Sequence, residues 1–237
     1  MQMNDKDIVY FVKNSPSNEE LRFSLRSVER NFPHRKVWIF GGKPDYIKPD
    51  EYVPIRQIGN TKWEKVRNML IKCCETKGVS EDFFLFNDDF FVMHEISEYE
   101  PMFDGSIYKR IVQVEGRNYD KPSAYTAQLR KMVHELERYC PDAPMNNYAV
   151  HMPMLINKEK ALCVLNKFQS PMFRTIYGNY WNIGGKQMPD MKILRVSQKI
   201  DESAPYLSSD DASFMDREIG KHVKARFTER SKYEQVG

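Results

Sequence analysis

The sequence predicts a single α/β domain whose central sheet is mainly parallel and flanked by helices. Apolar runs typical of strands alternate with segments of helical spacing twice before residue 87, an order that is the signature of βαβ units. Several of these runs are apolar throughout, as in strands buried on both faces. No repeat, low-complexity segment or linker divides the 237 residues, a length that suits one large domain.

The first strand–helix–strand unit opens the chain. Residues 8–12 and 36–40 are apolar runs that predict two strands. Between them, Ser17 and Glu20 have the spacing of a capping box, so a helix is expected to begin there and to end before Pro33. Its apolar residues recur at helical spacing: Leu21, Leu25, Val28 and Phe32.

The second unit ends in the stretch that carries most information about function. Residues 62–74 have helical spacing and lead through Gly78 into residues 82–86, an apolar run typical of a buried strand. Another apolar run begins at Phe90. The polar triplet Asn-Asp-Asp at residues 87–89 therefore follows the end of a strand.

Two adjacent carboxylates at a strand end need compensation, because burying unpaired charge costs several kcal/mol or more. A hard divalent cation, Mn2+ or Mg2+, would neutralise Asp88 and Asp89 and would in turn hold a diphosphate. The alternative is a solvated turn, since Asn and Asp are common turn residues. Ligands bind beyond the carboxyl ends of parallel strands, where residues 13–14 and 41–42 should also lie. The sequence thus predicts a ligand site at this edge of the sheet.

The second half of the chain predicts a mixture of elements. Residues 110–115 and 192–196 favour short strands, and residues 124–139 and 158–168 favour helices. Residues 177–185 are aromatic and glycine-rich, which is typical of a loop that covers a substrate or packs on the surface. A last helix is expected over residues 208–227, with Ser208 and Asp211 at capping-box spacing.

Composition restricts the class of protein. The net charge of +3 is too small to predict a polyanionic partner, and no run of about 18 apolar residues predicts a membrane span. The polar N-terminus argues against a signal peptide. Four cysteines without metal-ligand spacing predict reduced thiols in a cytoplasmic protein: Cys73, Cys74, Cys140 and Cys163.

Five blocks of the sequence resemble, in order, the conserved blocks of the Stealth-type sugar-phosphate transferases. These blocks are residues 7–12, 20–33, 86–91, 151–154 and 207–211. The resemblance implies a GT-A-like, Rossmann-like fold with a C-terminal helical elaboration. It also implies a nucleotide-sugar donor and a hydroxyl acceptor on a glycan or surface polysaccharide.

On this resemblance, residues 1–237 form one transferase domain, with a nucleotide-binding half at residues 1–93 and an acceptor-side half with the C-terminal helix at residues 94–237. The family transfers a sugar phosphate. Its first block usually continues to an acidic residue, whereas this chain continues to Lys13. Ordinary glycosyl transfer therefore stays open beside phosphotransfer.

The resemblance and the residue chemistry together single out catalytic groups. Asp88 and Asp89, with His151, are expected to hold Mn2+ or Mg2+ against the donor diphosphate, where the cation neutralises the leaving group. His151 is alternatively the general base for the acceptor hydroxyl, or a hydrogen-bonded core residue. It is expected at a strand end or bend, because Pro153 disfavours a central strand there. Asp211 is a second candidate base, although helix capping also explains it.

Six residues are predicted to bind substrate: Arg22, Lys62, Lys65, Arg67, Asn87 and Trp181. The four cations lie near the starts of predicted helices, where backbone amides also favour phosphate. Asn87 adjoins the carboxylates, and Trp181 belongs to the aromatic, glycine-rich segment. The alternative for each cation is a solvated helix side chain.

Two rival functions are compatible with the same residues. One is a transferase of viral type that sugars a hydroxymethylated pyrimidine in DNA. The other is a non-catalytic nucleotide- or carbohydrate-binding module. A two-metal phosphatase or nuclease is disfavoured, because the sequence offers no second acidic cluster for it.

Overall fold

The computed structural model describes residues 2–56, 58–59, 61–117, 123–194 and 198–235. Up to the middle of the chain the elements are β1 (Asp7–Val12), α1 (Glu19–Asn31), β2 (Val37–Gly41), β3 (Glu51–Pro54), α2 (Lys62–Glu75), β4 (Asp82–Phe86), β5 (Phe90–Val92), β6 (Met102–Phe103) and α3 (Ile107–Arg117). They are followed by α4 (Ala124–Tyr139), β7 (Met154–Asn157), α5 (Lys158–Lys167), α6 (Phe173–Tyr180), β8 (Lys186–Gln187), β9 (Tyr206–Ser208), α7 (Asp211–Asp216) and α8 (Glu218–Arg226).

The central sheet has five strands in the order β3-β2-β1-β4-β7. Strand β1 pairs in parallel with β2 and β4, and β2 pairs in parallel with β3, whereas β7 is antiparallel to β4. The helices α1 and α2 are the crossovers of the two βαβ units that the sequence predicts. The predicted fold class, α/β with a mainly parallel sheet flanked by helices, is therefore confirmed.

Both faces of the sheet are covered, as strands without polar alternation require. Phe84 and Phe86 enter the core beneath α1, where the ring of Phe32 lies 4.8 Å and 5.2 Å from their rings. Phe83 and Leu85 enter the opposite core, which α2, α4, α5 and α6 cover. Packing on both sides holds β4 in place, and with it the start of the polar triplet.

The start of α1 differs from the expectation. Asn18 is the N-cap, because its Oδ1 accepts a hydrogen bond of 2.9 Å from the Leu21 amide. The predicted capping box of Ser17 and Glu20 is therefore wrong. Glu20 is buried instead, and its carboxyl accepts a hydrogen bond of 2.6 Å from the Ser209 hydroxyl.

Residues 110–115 are helical, so the predicted strand there is wrong. Ile107, Ile111 and Val114 recur three or four residues apart, and all three pack in the core beside α4. The β-branched composition suggested a strand, but the period that buries these residues is that of a helix.

Residues 177–180 belong to α6, so the predicted loop there is wrong in its first part. Gly178 serves packing rather than a turn. A Cβ at this position would lie 2.3 Å from Cδ2 of Tyr148. A glycine that indicates a loop in the sequence is here a point of close contact between α6 and the preceding chain.

The predicted helix over residues 208–227 is divided. Ser208 ends β9, which pairs antiparallel with β5, and α7 begins after it with Asp210 as N-cap, accepting from the Ser213 amide at 2.8 Å. A second helix, α8, follows Arg217. The predicted strand at residues 192–196 lies partly outside the described residues, and its described part carries an isolated bridge from Lys192 to Ser208.

Among the described residues, no helix is long and apolar enough to cross a membrane. All four cysteines carry free thiols. Strand β7 belongs to the same sheet as the strands of the first half, and residues of the C-terminal helices share a core with that sheet. The expected division at residue 93 into two functional halves stays a prediction.

Candidate active site at the carboxyl end of the sheet

A cleft of about 350 Å3 opens where β1 and β4 end. The polar residues along it are Lys62, Asn87, Asp88, Arg174 and Thr175, and its apolar wall includes Phe11, Trp63, Val66, Leu70 and Phe173. Asn87 and Asp88 reach the cleft because they follow β4 directly. Lys62 reaches it because α2 begins beside the same edge of the sheet. Two predicted substrate-binding residues thus lie in one cleft with one predicted metal ligand.

Asp88 is held at the start of α1. The Asn18 side-chain amide donates a hydrogen bond of 2.7 Å to Asp88 Oδ2, while Asn18 Oδ1 caps the helix. Burial, followed by the charge of Asp89, raises the pKa of Asp88 to about 6. Ionised Asp88 is therefore destabilised in this environment, and a cation would relieve that cost.

Asp89 has one paired and one unpaired oxygen. Its Oδ2 lies 3.0 Å from Lys192 Nζ, and its side chain is 13% exposed. Its Oδ1 is buried and has no hydrogen-bond partner in the described structure. A buried carboxylate oxygen without a partner costs free energy. A ligand that bonds to Asp89 Oδ1 would recover that cost.

Glu20 adds a further carboxyl that the sequence pattern assigned to helix capping. Burial, together with the neighbouring carboxyls of Asp211, Asp89 and Asp88, raises its pKa to about 9 against the lowering effect of the hydrogen bond from Ser209. Glu20 is therefore protonated at neutral pH. The predicted catalytic residue Asp211 is the first residue of α7 and is exposed, and its place in the structure is beside Glu20.

Arg174 is a site residue that sequence reasoning missed. Its guanidinium donates hydrogen bonds to the carbonyls of Met152 and Leu85, at 2.7 and 3.1 Å, and to Asn87 Oδ1 at 3.3 Å. Burial lowers its pKa to about 10, which leaves it cationic at neutral pH. No sequence signal marks it, because its partners come from separate segments that only the fold brings together.

His151 lies in the bend before β7, as expected. Its Nδ1 lies 2.9 Å from both carboxylate oxygens of Asp190, and its amide donates to Asp190 Oδ1 at 3.0 Å. Its ring meets the ring of Phe90 edge-on at 6.2 Å, and the Arg174 guanidinium lies 5.3 Å from the same Phe90 ring. Phe90 therefore links the histidine to the arginine of the cleft.

The residues present fit a divalent cation only in part. Among the described residues, no three His, Cys, Asp or Glu side chains are close enough together to hold a metal ion, so His151 does not complete a ligand set with Asp88 and Asp89. Two adjacent carboxylates, one with a buried unpaired oxygen, do suit Mg2+ or Mn2+. These ions are commonly bound through one or two carboxylates together with substrate phosphates and water.

Other predicted substrate-binding residues lie elsewhere. Arg67 donates a hydrogen bond to the Leu165 carbonyl, and Lys65 is half-buried on α2 outside the residues that line the cleft. Arg22 lies over the Tyr46 ring, 4.1 Å from its centroid. It contacts the carboxylates of Glu19 and Glu234.

Trp181 also lies apart from the cleft. Its indole donates a hydrogen bond of 3.2 Å to the Lys160 carbonyl, and its ring packs edge-on against Tyr180. Trp63, in the first turn of α2, is the tryptophan that borders the cleft.

Comparison with known proteins finds only weak structural similarity. No protein-family model and no curated protein matches this sequence. Apo mouse xyloside xylosyltransferase 1 aligns over 97% of this chain and 96% of its own, with 9% identity and a TM-score of 0.40. The apo glycosyltransferase GlyE of Streptococcus pneumoniae TIGR4 aligns over 54% of this chain and 43% of its own, with 9% identity and a TM-score of 0.30. This chain thus spans less than half the length of GlyE.

A 4-diphosphocytidyl-2C-methyl-D-erythritol synthase aligns over 80% of this chain and 90% of its own, with 10% identity and a TM-score of 0.34. At such identities and TM-scores, function has to be inferred from the chemistry of the site itself. The Stealth-type resemblance likewise depends on the quoted sequence blocks alone.

Proposed function

We propose that the chain is a nucleotide-sugar-dependent transferase that moves a sugar or a sugar phosphate onto a hydroxyl acceptor, on a glycan or surface polysaccharide. The observation that carries the proposal is the Asp88–Asp89 pair at the end of β4. Burial raises the pKa of Asp88 to about 6, and Asp89 has a buried oxygen without a partner. Asp88 lines a cleft that also contains Lys62 and Arg174.

Mn2+ or Mg2+ is the cofactor that suits this pair. Asp88 and Asp89 would hold the cation, and Asn18 and Lys192 would keep the two carboxylates in position. When bound, the cation supplies Lewis-acid neutralisation of the charge that develops on the leaving phosphate. The donor diphosphate and water would provide the remaining oxygen ligands.

The cleft offers separate surfaces for the nucleoside and the phosphates. Trp63 and Phe11 form an apolar wall on which a nucleobase would pack. Lys62 is the first residue of α2, so its charge and the N-terminal amides of a 14-residue helix act in the same direction on an anion. Arg174 contributes a half-buried positive charge beside Asn87.

His151 is the group suited to activate the acceptor. Its imidazole is part exposed, and a histidine can take the proton of a hydroxyl near neutral pH. Its position across Phe90 from Arg174 favours an acceptor that enters beside the phosphate-binding residues. Asp211 is a weaker candidate for the general base, because it lies beside the protonated carboxyl of Glu20.

Thermal unfolding with nucleotide diphosphates tests this proposal. UDP, CDP and GDP, each with 1 mM Mn2+ as the chosen assay condition, should be compared with nucleotide alone and Mn2+ alone, since a ligand of the native state raises the Tm. We expect one nucleotide to raise the Tm only in the presence of Mn2+. The Asp89→Asn variant should lose that shift and its transferase turnover while remaining folded.

The matched control is Asp142→Asn, which changes an exposed aspartate outside the cleft and should retain the full shift. A wild-type protein that shows no Mn2+-dependent shift with any of the nucleotides contradicts the proposal. An Asp89→Asn variant with wild-type turnover contradicts the role of the carboxylate pair.

A further inference from the structure

We infer that Asp190 is a positioning residue for His151: it holds the imidazole so that Nδ1 carries a proton and Nε2 is free to accept the proton of the acceptor hydroxyl. The inference rests on the proposed function for the identity of the proton donor. The hydrogen-bonded arrangement of the two side chains stands independently of it.

The geometry ties the whole His151 residue to one carboxylate. Nδ1 lies 2.9 Å from Oδ1 and 2.9 Å from Oδ2 of Asp190, and the His151 backbone amide donates to Oδ1 at 3.0 Å. Three contacts to one side chain restrict the main chain and the ring together. Within the described structure, Nε2 has no hydrogen-bond partner, and the side chain is 28% exposed.

The charge of Asp190 decides which nitrogen carries the proton. Burial opposes ionisation of Asp190, but the hydrogen bonds from His151 and its charge more than offset this, so the pKa of Asp190 lies below its ordinary value. An ionised carboxylate only accepts hydrogen bonds. Nδ1 must therefore donate, and in the neutral imidazole the lone pair is then on Nε2.

The segment that carries Asp190 is anchored to the rest of the site. Met191 is buried, and its carbonyl accepts a hydrogen bond of 3.1 Å from the Ser208 amide of β9. The next residue, Lys192, places its ammonium 3.0 Å from Asp89 Oδ2. One short segment thus supports the proposed base through Asp190 and the proposed cation-binding pair through Lys192.

In the proposed reaction, the acceptor hydroxyl passes its proton to His151 Nε2 while its oxygen forms a bond to the transferred carbon or phosphorus. The bond from that atom to the leaving phosphate oxygen breaks, and the electron pair stays on the nucleotide product. His151 becomes an imidazolium whose charge Asp190 compensates, and the proton is later released to water. No oxidant or additional reactant is required. The logic is that of a carboxylate that orients a histidine base.

The experiment combines activity with a spectroscopic measurement on the same variants. Two-dimensional 15N–1H NMR of histidine-labelled protein should report the Nδ1-protonated tautomer for His151 in the wild type, assigned by loss of its signals in His151→Gln. Asp190→Ala should remove that tautomer preference. We expect kcat to fall by about 100-fold or more with the KM for the donor within about twofold, because Asp190 is not among the residues that line the cleft.

Asp104→Asn is the matched control. Asp104 is a nearby carboxylate whose pKa is raised by burial and by the charge of Asp190, and it makes no hydrogen bond to His151 among the bonds described. It should keep both tautomer and kcat. Asp190→Glu should restore part of kcat. A double variant Asp190→Ala, His151→Gln should be no slower than His151→Gln alone, because both changes remove one function.

The inference is overturned if Asp190→Ala leaves the His151 tautomer unchanged, or if kcat stays near wild type in a folded variant. These outcomes differ from failure of the proposed function. If the wild type transfers nothing from any donor, the function is wrong, while the NMR comparison still decides whether Asp190 sets the state of His151.

Discussion

At the scale of single residues, burial rather than residue type decides the charge of this site. Glu20, Asp88 and Asp89 are all acidic, yet burial raises the pKa of Glu20 to about 9 and that of Asp88 to about 6. At neutral pH the cluster is consequently less negative than its composition suggests. The proposed cation would therefore have to compensate Asp88 and Asp89 rather than all three carboxyls.

Replacing Glu20 with Gln tests this protonation. The pKa of Glu20 is raised from 4.5 to about 9 in the folded state, so its contribution to stability is present below about pH 4.5 and is lost as the pH rises through 9. Glu20→Gln should match the wild type near pH 5 and exceed it by about 1 kcal/mol or more near pH 9. Urea unfolding at pH 5, 7 and 9 measures this. Glu218→Gln, an exposed change on α8, should show no such divergence.

Gly178 shows how one missing side chain permits a contact. Because a Cβ there would lie 2.3 Å from the Tyr148 ring, Gly178→Ala should lower the free energy of unfolding by about 1–3 kcal/mol through overpacking. Gly116→Ala is the control, since nothing lies within 4 Å of a Cβ at that position of α3. It should raise stability by about 0.5–1 kcal/mol. Equal effects of both changes would contradict the packing role.

At the scale of elements, α1 connects helix capping to the site. Asn18 uses one side chain both to cap the helix and to hold Asp88. The position of the Asp88 carboxylate therefore depends on where α1 begins. An amide side chain suits both bonds, because its oxygen accepts from the Leu21 amide while its NH2 group donates to Asp88.

Asn18→Ala should consequently cost more than loss of a cap alone. We expect a decrease of about 1–3 kcal/mol in the free energy of unfolding, of which about 1 kcal/mol is the cap and the rest the unsatisfied carboxylate. Ser17→Ala, one residue earlier, should stay within about 0.5 kcal/mol of wild type. Chemical denaturation of both variants gives the comparison, and similar losses in the two would be inconsistent with Asn18 as the cap.

At the scale of the whole molecule, an ion pair with Glu234 near the C-terminus holds α1 in place. Arg26 makes two hydrogen bonds to the Glu234 carboxylate, at 2.7 and 2.8 Å. Their side chains are only 10% and 6% exposed. Tyr233 is buried beside them, and its carbonyl accepts from the Lys48 amide. Residues more than 180 positions apart in the chain therefore share one core.

Removing one member of that buried ion pair should destabilise the fold strongly. Glu234→Ala leaves Arg26 without its carboxylate, and breaking a buried pair typically costs about 3–5 kcal/mol. The midpoint of thermal unfolding should fall accordingly. Glu218→Ala removes a pair on α8 whose side chains are 73% and 76% exposed and should change it little. A small effect of Glu234→Ala would contradict a stabilising role for this ion pair.

Local pattern was sufficient for much of the fold. The apolar runs of β1, β2 and β4 and the helical periods of α1, α2, α4 and α5 are visible in the chain, because a strand or helix buried on a face must repeat its apolar residues at its own period. Composition misled where the β-branched residues of α3 resembled a strand, and where Gly178 resembled a loop residue.

By itself the sequence determined the strands β1, β2 and β4, their two βαβ crossovers and the place of Asn87, Asp88 and Asp89 at a strand end, since these depend on neighbours along the chain. Only the tertiary structure decided that Asp190 meets His151, that Arg174 meets Asn87 and that Glu20 is buried beside the aspartates. Those pairs are 39, 87 and about 70 residues apart. No local rule relates such positions, because the packing of whole elements brings them together.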